Sequence, residues 1–171
     1  MKAYPQIDTL IEQAKESQCC ARSNDVLLQK GLHRRYLAGE LVKPYPGIYA
    51  CANYWNRLNG AERTLHMART LAKLHPNWVF AGLTAAAAYG FEHQWFLHHG
   101  LTITLPTRGS HRPHDKLNVI YSPYPKHDAA MVNGIPVTNE ARTLVDCGRT
   151  QEFREALPIF DSAAANGVEE G

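Results

Sequence analysis

The sequence predicts an α+β fold, in which an N-terminal winged helix-turn-helix is followed by a small mixed α/β domain. Two observations carry this prediction. A basic helical segment is followed at once by a tight hairpin signal, and the later chain alternates short apolar strands with amphipathic helices. At 171 residues the chain has the length of one ordinary domain or of two small ones. Residues 53–60 are polar and carry a turn signal, so we place the winged head at residues 1–52 and the mixed α/β domain at residues 57–171.

The head begins with an amphipathic helix over residues 5–17. Its apolar residues recur at the i, i+3, i+4, i+7 spacing of one helix face; they are Ile7, Leu10, Ile11 and Ala14. A second helical segment starts at Ser23-Asn24-Asp25 and stops at Gly39. We expect Val26, Leu27, Tyr36 and Leu37 to supply its apolar contacts, with the cations on the other side.

Gly31 divides this second helical segment and leaves two alternatives. One helix could run through it at a cost of about 1 kcal/mol, or Gly31 could be the turn between two short helices. We prefer the turn. Segments 41–43 and 48–50 then form a hairpin around Tyr45-Pro46-Gly47, and its prolines restrict it to an edge, as a protruding wing requires.

The second half of the chain alternates helical and strand patterns. Residues 101–105 read LTITL, which is the alternation of a half-buried strand, and Asn133-Gly134 is typical of a two-residue hairpin turn. The remaining predictions are a helix over 61–75, a strand over 78–81, a helix over 83–89, a strand over 117–121, a helix capped by Thr138 or Asn139 that runs to Cys147, and a last helix over 152–166.

Charge is unevenly distributed, although the chain carries only +2 in total. Residues 22–45 hold five cations against two carboxylates, and residues 101–127 hold four against one. From residue 150 onward the balance reverses, with one cation and five carboxylates. Two basic segments and an acidic end favour an oriented encounter with a polyanion, while the alternative is a set of solvated loops of mixed charge.

The first basic segment contains the candidate DNA contacts. Arginine clamps a phosphate or reads guanine, lysine offers a point charge, and the amides of Asn24 and Gln29 can reach adenine edges. Tyr45 could lie on a sugar or pack locally in its turn. The alternative for the segment is an exposed helix face that happens to be basic. The candidate set is Asn24, Gln29, Lys30, His33, Arg34, Arg35, Lys43 and Tyr45.

The loop 106–116 invites two interpretations, a second polyanion contact through Arg108, Arg112 and Lys116 or a flexible surface loop. His111 and His114 have an H-x-x-H spacing without partnering cysteines, so we expect no metal site and no cofactor. Further on, the i,i+4 spacing of Arg142 and Asp146 predicts an ion pair on a helix surface.

Motifs of catalysis are not found in the sequence. There is no nucleophile elbow, Gly-rich phosphate loop or H-E-x-x-H, so we expect that the chain is not an enzyme. The four cysteines lack a C-x-x-C spacing, which favours a reducing compartment. Without a leader pattern or a long apolar run, the expected location is cytoplasmic, with no membrane contact.

Four segments resemble the AbiEi family of antitoxins from bacterial type IV toxin–antitoxin systems: GELVKPYPGIYA (39–50), FAGLTAAAAYGF (80–91), LTITLP (101–106) and GIPVTNEARTLVDC (134–147). The resemblance covers the chain from about residue 22 onward. It implies a head that binds double-stranded DNA at its own promoter and represses its operon. It also implies that the following domain supports neutralising a nucleotidyltransferase-like toxin.

Two alternatives to this regulator remain open. The chain could be a protein-interaction module that binds the toxin while the head is vestigial. It could also be the DNA-targeting part of a longer protein, since many similar chains continue into a domain like the very-short-patch-repair endonucleases. We expect a monomer or a weak dimer. If the head binds an inverted repeat, two copies are needed, either as a dimer or as two monomers on adjacent half-sites.

Overall fold

The head consists of two helices and a hairpin. A computed structural model describes residues 5–108 and 114–168. Helix α1 (Pro5–Glu16) and helix α2 (Val26–Leu37) are followed by the antiparallel strands β1 (Leu41–Tyr45) and β2 (Ile48–Cys51). Ala21 adds an isolated bridge to Tyr49 of β2. The first helix and the hairpin are therefore as the sequence predicts.

Gly31 lies inside α2, so the preferred prediction of a turn at this residue is wrong and the single-helix alternative is confirmed. The reason is the packing of α2 on α1. Gly31 is buried, and a Cβ atom added to it would overlap the side chain of Ile7. The glycine thus makes room for the terminal methyl group of Ile7 and does not serve a special backbone conformation.

The orientation of α2 also differs from the prediction. Gly31 and Leu32 form its buried face, whereas Leu27 and Leu37 are 75% and 71% exposed and Val26 is exposed as well. Contact with α1 selects the face that contains the glycine, because only that face permits the close approach. The apolar residues at the two ends of α2 are consequently left on the surface, beside the cations.

The second part of the chain is built around a five-stranded mixed sheet in the order β5-β4-β3-β7-β6, so the architecture is α+β. Strand pairs β3–β4 and β6–β7 are antiparallel, and β3–β7 and β4–β5 are parallel. The elements are α3 (Ala52–Trp55), α4 (Gly60–Leu74), β3 (Val79–Phe80), α5 (Gly82–Tyr89), β4 (Leu101–Leu105), β5 (Leu117–Tyr121), β6 (Ala130–Val132), β7 (Ile135–Val137), α6 (Glu140–Thr150) and α7 (Phe153–Ala165).

These elements follow the sequence predictions closely. Asn59 caps α4 through a capping box with Glu62, and Asn139 caps α6 by accepting from the Arg142 backbone amide at 2.8 Å. Asn133 and Gly134 both have positive φ, as the turn of the predicted β6–β7 hairpin requires. Within the described residues, no helix has the length and apolar content needed to cross a membrane.

The main hydrophobic core is continuous between the head and the sheet. Ile48 and Ala50 of β2 pack in the same cluster as Leu71 of α4 and Phe80 and Ile103 of the sheet. The hairpin is therefore seated on the second part of the chain along its length. The division into residues 1–52 and 57–171 stays a prediction, and the packing across it is that of one core.

Two side chains from beyond β4 hold the hairpin in place. Lys116 Nζ donates a hydrogen bond to the Pro44 carbonyl oxygen at 2.8 Å. The ring centroids of Tyr45 and His114 are 4.7 Å apart. Pro44 is buried, so the hairpin does not protrude there as the wing prediction assumed.

The ion pair between Arg142 and Asp146 forms as predicted, but its predicted position on the helix surface is wrong. Arg142 Nε donates to Asp146 Oδ1 at 2.8 Å, and the Asp146 side chain is only 1% exposed. Asp146 lies on the inward face of α6 with Thr143 and Cys147. Asp146 Oδ2 and Arg142 Nη2 are buried and have no hydrogen-bond partner among the described residues. The pair thus belongs to the packing of α6.

We predict that Asp146→Ala lowers the free energy of unfolding by about 3 kcal/mol, because removing one member of a buried pair leaves the Arg142 charge without its partner. Glu12→Ala is the matched control, since its pair with Lys15 is exposed and should be worth less than about 0.5 kcal/mol. Urea unfolding at pH 7 measures both. Equal losses for the two variants would contradict a structural role for the buried pair.

Candidate nucleic-acid interface

One exposed face of α2 presents the predicted cations to solvent. Lys30, His33 and Arg34 are all exposed and lie within about one helical turn of one another. The start of the helix is fixed by Asp25, whose Oδ1 accepts from the backbone amides of Leu27 and Leu28 at 2.8 and 3.0 Å. The cap therefore determines where these cations stand on the surface.

The polar residues before and at the start of α2 are also at the surface. Asn24 is exposed just ahead of the cap. Gln29 is exposed, and its Nε2 donates to the Ser23 carbonyl oxygen at 2.9 Å. The Gln29 amide is thus partly used to fix the segment that precedes α2, while Asn24 is open to solvent just before the helix.

Arg35 has a different environment from Arg34. Its Nη1 donates to Asp8 Oδ1 on α1, and its Nε lies 3.9 Å from Glu40 Oε2. The hydrogen bond from Arg35 is the main cause that lowers the pKa of Asp8, and the same bond raises the pKa of Arg35. Arg34 makes no ion pair with a described residue. The Arg34-Arg35 pair of the sequence is therefore split between the surface and the α1–α2 contact.

Sequence reasoning missed Asp8 and Glu40 as partners of Arg35. Asp8 and Arg35 are 27 residues apart, so no local spacing relates them. The one usable signal was Gly31. A glycine inside an otherwise good helix indicates close approach of a neighbouring element, and Arg35 lies one turn after Gly31 on the face that contacts α1.

Two predicted contacts lie on the hairpin and are differently placed. Lys43 is exposed on β1. Tyr45 is half-buried against His114, and this burial raises the pKa of its hydroxyl. Lys43 is consequently available to a polyanion, whereas the Tyr45 ring is turned towards the second part of the chain.

The cations of the second basic segment lie at opposite ends of the edge strand β5. Arg108 is exposed, with its guanidinium 5.2 Å from the centre of the Tyr121 ring, where β5 ends. Lys116 lies where β5 begins and binds Pro44. Five paired residues of β4 and β5 separate these ends by about 13 Å. The predicted contact at Arg112 lies outside the described residues.

The histidines of the H-x-x-H segment do not form a site in the described residues. His111 lies outside them, and the His114 ring packs against Tyr45 at a tilt of 43°. His98 faces His93, with 2.6 Å between their Nε2 atoms, and His93 Nδ1 lies 2.6 Å from the Phe91 carbonyl oxygen. A carbonyl oxygen can only accept a hydrogen bond, so His93 Nδ1 has to be protonated. In the neutral His93 ring, Nε2 is then the acceptor, and His98 Nε2 donates to it. Within the described ranges, no three His, Cys, Asp or Glu residues are grouped to hold a metal ion.

Two thiols are buried so deeply that they stay protonated near neutral pH. Burial is the main cause that raises the pKa of Cys20 and of Cys147 to about 12. A thiolate is the reactive form of cysteine, so neither side chain is suited to nucleophilic chemistry.

We predict that stability falls between pH 6.5 and pH 4 because of His98. Its burial is the main cause that lowers its pKa from 6.5 to about 4, and the nearby His93 and His99 add to the effect. In this window the unfolded chain binds a proton that the folded chain does not, so the free energy of unfolding rises with pH and the contribution is complete above pH 6.5. Acidification from pH 6.5 to pH 4 should lower the free energy of unfolding by about 3 kcal/mol at most.

His98→Asn should therefore flatten the pH dependence of stability between pH 4.5 and pH 7, measured by urea unfolding. His127→Asn is the control, because His127 is exposed. The same pH slope in the wild type and in His98→Asn would show that His98 is not the group responsible.

No family model, no curated protein and no solved structure matches this chain.

Proposed function

We propose that this chain is a DNA-binding transcriptional regulator that binds a duplex through the exposed face of α2. The observation that carries the proposal is the exposure of Lys30, His33 and Arg34 together on one helix that a hairpin follows directly. Cations in a row on a rigid element neutralise successive phosphates and release counterions. The same row on a flexible loop would have to be ordered first, at a cost in affinity.

The dimensions and chemistry of α2 suit a major groove. Its 12 residues span about 18 Å, and the groove of B-DNA is about 12 Å wide. Arg34 can bind a phosphate or the O6/N7 edge of guanine, and Asn24 can reach an adenine edge. The exposed Leu27 and Leu37 are suited to contact thymine methyl groups.

The order of elements supports the winged-helix part of the proposal. Helix α1, the Ala21 bridge to β2, helix α2 and the hairpin succeed one another, and Lys43 on β1 provides a cation beside the helix. Helices α1 and α2 are joined by residues 17–25 and not by the three- or four-residue turn of a helix-turn-helix. Groove contact is therefore assigned to α2 alone, with α1 as its support.

The resemblance to AbiEi antitoxins supports a narrower proposal, that the DNA is the chain's own promoter and that a nucleotidyltransferase-like toxin is a second partner. Co-expression with the neighbouring gene tests the second half. Relief of toxicity and co-purification are expected, and a toxicity that this chain leaves unchanged would remove the antitoxin role while leaving DNA binding to its own test.

We predict that Lys30→Ala and Arg34→Ala each weaken binding to a promoter duplex and each reduce the slope of log K against log salt by about one unit. Arg149→Ala is the matched control, because it removes the same charge from an exposed position on α6, outside the head. Fluorescence anisotropy at several salt concentrations measures the slopes. Unchanged slopes in both α2 variants would exclude this helix as the DNA-contacting surface.

Arg35→Ala should behave differently from Arg34→Ala. Because Arg35 joins α2 to Asp8 and Glu40, its removal should lower the thermal stability of the protein more than Arg34→Ala does. Arg34→Ala should instead affect DNA binding without a measurable change in melting temperature. Differential scanning fluorimetry, run beside the anisotropy titrations, separates the two effects. Identical behaviour of the two variants would contradict the assignment of Arg35 to the α1–α2 contact and of Arg34 to DNA binding.

A further inference from the structure

Helices α6 and α7 expose an apolar surface that nothing in the described chain covers. Phe153 is 79% exposed, and Val145, Leu157 and Phe160 are also exposed. Large apolar side chains occur singly on many protein surfaces, but a contiguous group marks an interaction site. We name these four residues the α6–α7 patch.

The patch is continuous because of its spacing. Phe153, Leu157 and Phe160 recur at i, i+4 and i+7, so they form one stripe along α7. The Phe160 ring lies against Gly148 of α6, where an added Cβ would come within 3.2 Å of it. The stripe therefore extends sideways onto α6, towards Val145, instead of ending at the groove between the helices.

Two opposite charges lie on one edge of the stripe. Arg154 and Asp161 are exposed and are seven residues apart, so both point to the same side of α7. The other side of α7 is turned inward through Ala156, Ile159 and Ala163. In the described part of the chain, neither Arg154 nor Asp161 makes an ion pair within 4 Å. The apolar stripe thus has one charged edge whose two members are unpaired.

We propose that the α6–α7 patch is an interface with a second copy of this chain, formed by antiparallel pairing of the two α7 helices about a two-fold axis. The midpoint of the stripe lies between residues 156 and 157. At 1.5 Å per residue, Arg154 is about 4 Å to one side of that midpoint and Asp161 about 7 Å to the other, a mismatch of about 3 Å that the long arginine side chain can span. The two-fold axis reverses the helix direction, so it brings Arg154 of each copy opposite Asp161 of the other.

The same operation matches the apolar side chains. Phe153 of one copy meets Phe160 of the other, and the two Leu157 side chains meet near the axis. A two-fold interface has to be self-complementary in this way, because each residue faces the symmetry image of another. The stripe and its charged edge both meet this condition with midpoints that lie one residue, or about 1.5 Å, apart along α7, which is the argument for a second copy over an unrelated partner.

The size of the patch sets the expected affinity. Helices of 13 and 11 residues side by side cover roughly 20 by 20 Å, which lies below the standard size of a stable protein–protein interface. We therefore expect a reversible dimer with a dissociation constant in the micromolar range. This inference does not depend on DNA binding, and its test uses no DNA.

Sedimentation equilibrium of the full chain between about 1 and 200 µM tests the proposal. The wild type should dimerise reversibly. Arg154→Asp places two carboxylates opposite each other at both ends of the interface, and Asp161→Arg places two cations there. Each substitution should raise the dissociation constant by about tenfold or more. Both residues are exposed, so circular dichroism spectra should be unchanged.

The geometry makes two sharper predictions. The double variant Arg154→Asp/Asp161→Arg restores both cross pairs, so its dissociation constant should return to within about threefold of the wild-type value. An equimolar mixture of the two single variants should form heterodimers, because each then supplies the charge that the other lacks. Glu12→Lys on α1 is the control and should have no effect.

Three outcomes would overturn the proposal. They are a wild type that stays monomeric at 200 µM, a dimer that neither single substitution weakens, and single variants that dissociate but are restored neither by mixing nor by the double exchange. The last outcome would mean that the patch binds some other surface.

Discussion

The contact between Gly31 of α2 and Ile7 of α1 determines most of what the head can do. Gly31 leaves room for the Ile7 side chain, and Leu32 beside it is buried in the same core, so this face of α2 turns inward. The opposite face then has to contain Lys30 and Arg34, along with apolar residues that an amphipathic pattern would have buried. The packing of Gly31 on Ile7 therefore places the cations of α2 on its exposed face.

The position of the hairpin is the second feature that defines this surface. Ile48 and Ala50 anchor it in the main core, and Lys116 and His114 hold Pro44 and Tyr45 from the far side of the sheet. A hairpin held by a core of this size does not swing independently of the helix before it. Leu41 and Tyr49 of the hairpin also pack with Leu32 of α2 and Ile7 of α1, so the hairpin contacts both the sheet and the helices of the head.

The positions of the helices and strands could be predicted from the sequence, whereas the face that each helix buries could not. Helix and strand periods, caps and the Asn133-Gly134 turn are local signals, and nearly every element appears where they place it. The errors at Gly31, at the apolar ends of α2 and at Asp146 share a different cause. In each case a neighbour distant in sequence decided which face is buried, and the spacing of residues along one helix is the same for an inward and an outward orientation.

The candidate site shows the same division. Its residue types and their concentration on one helix were visible in the sequence, but the separation of Arg34 from Arg35 depends on Asp8. The burial of the Arg142–Asp146 pair and the exposure of Phe153 are likewise a matter of tertiary packing. A stripe at i, i+4 and i+7 predicts a covered helix face, and only the structure shows whether this chain covers it.

The distribution of charge links the two proposed surfaces. The exposed cations of the head lie on α2 and β1, with Lys15 on α1, while α7 contains Glu155 and Asp161 and is capped by Glu152. A duplex bound at α2 would attract the first set and repel the second. The proposed dimer interface on α6 and α7 contains no residue of α2. Once one copy of a dimer has bound a half-site, the other copy is held near the second half-site at a high effective concentration. A dimer with a micromolar dissociation constant can therefore still increase occupancy at paired half-sites.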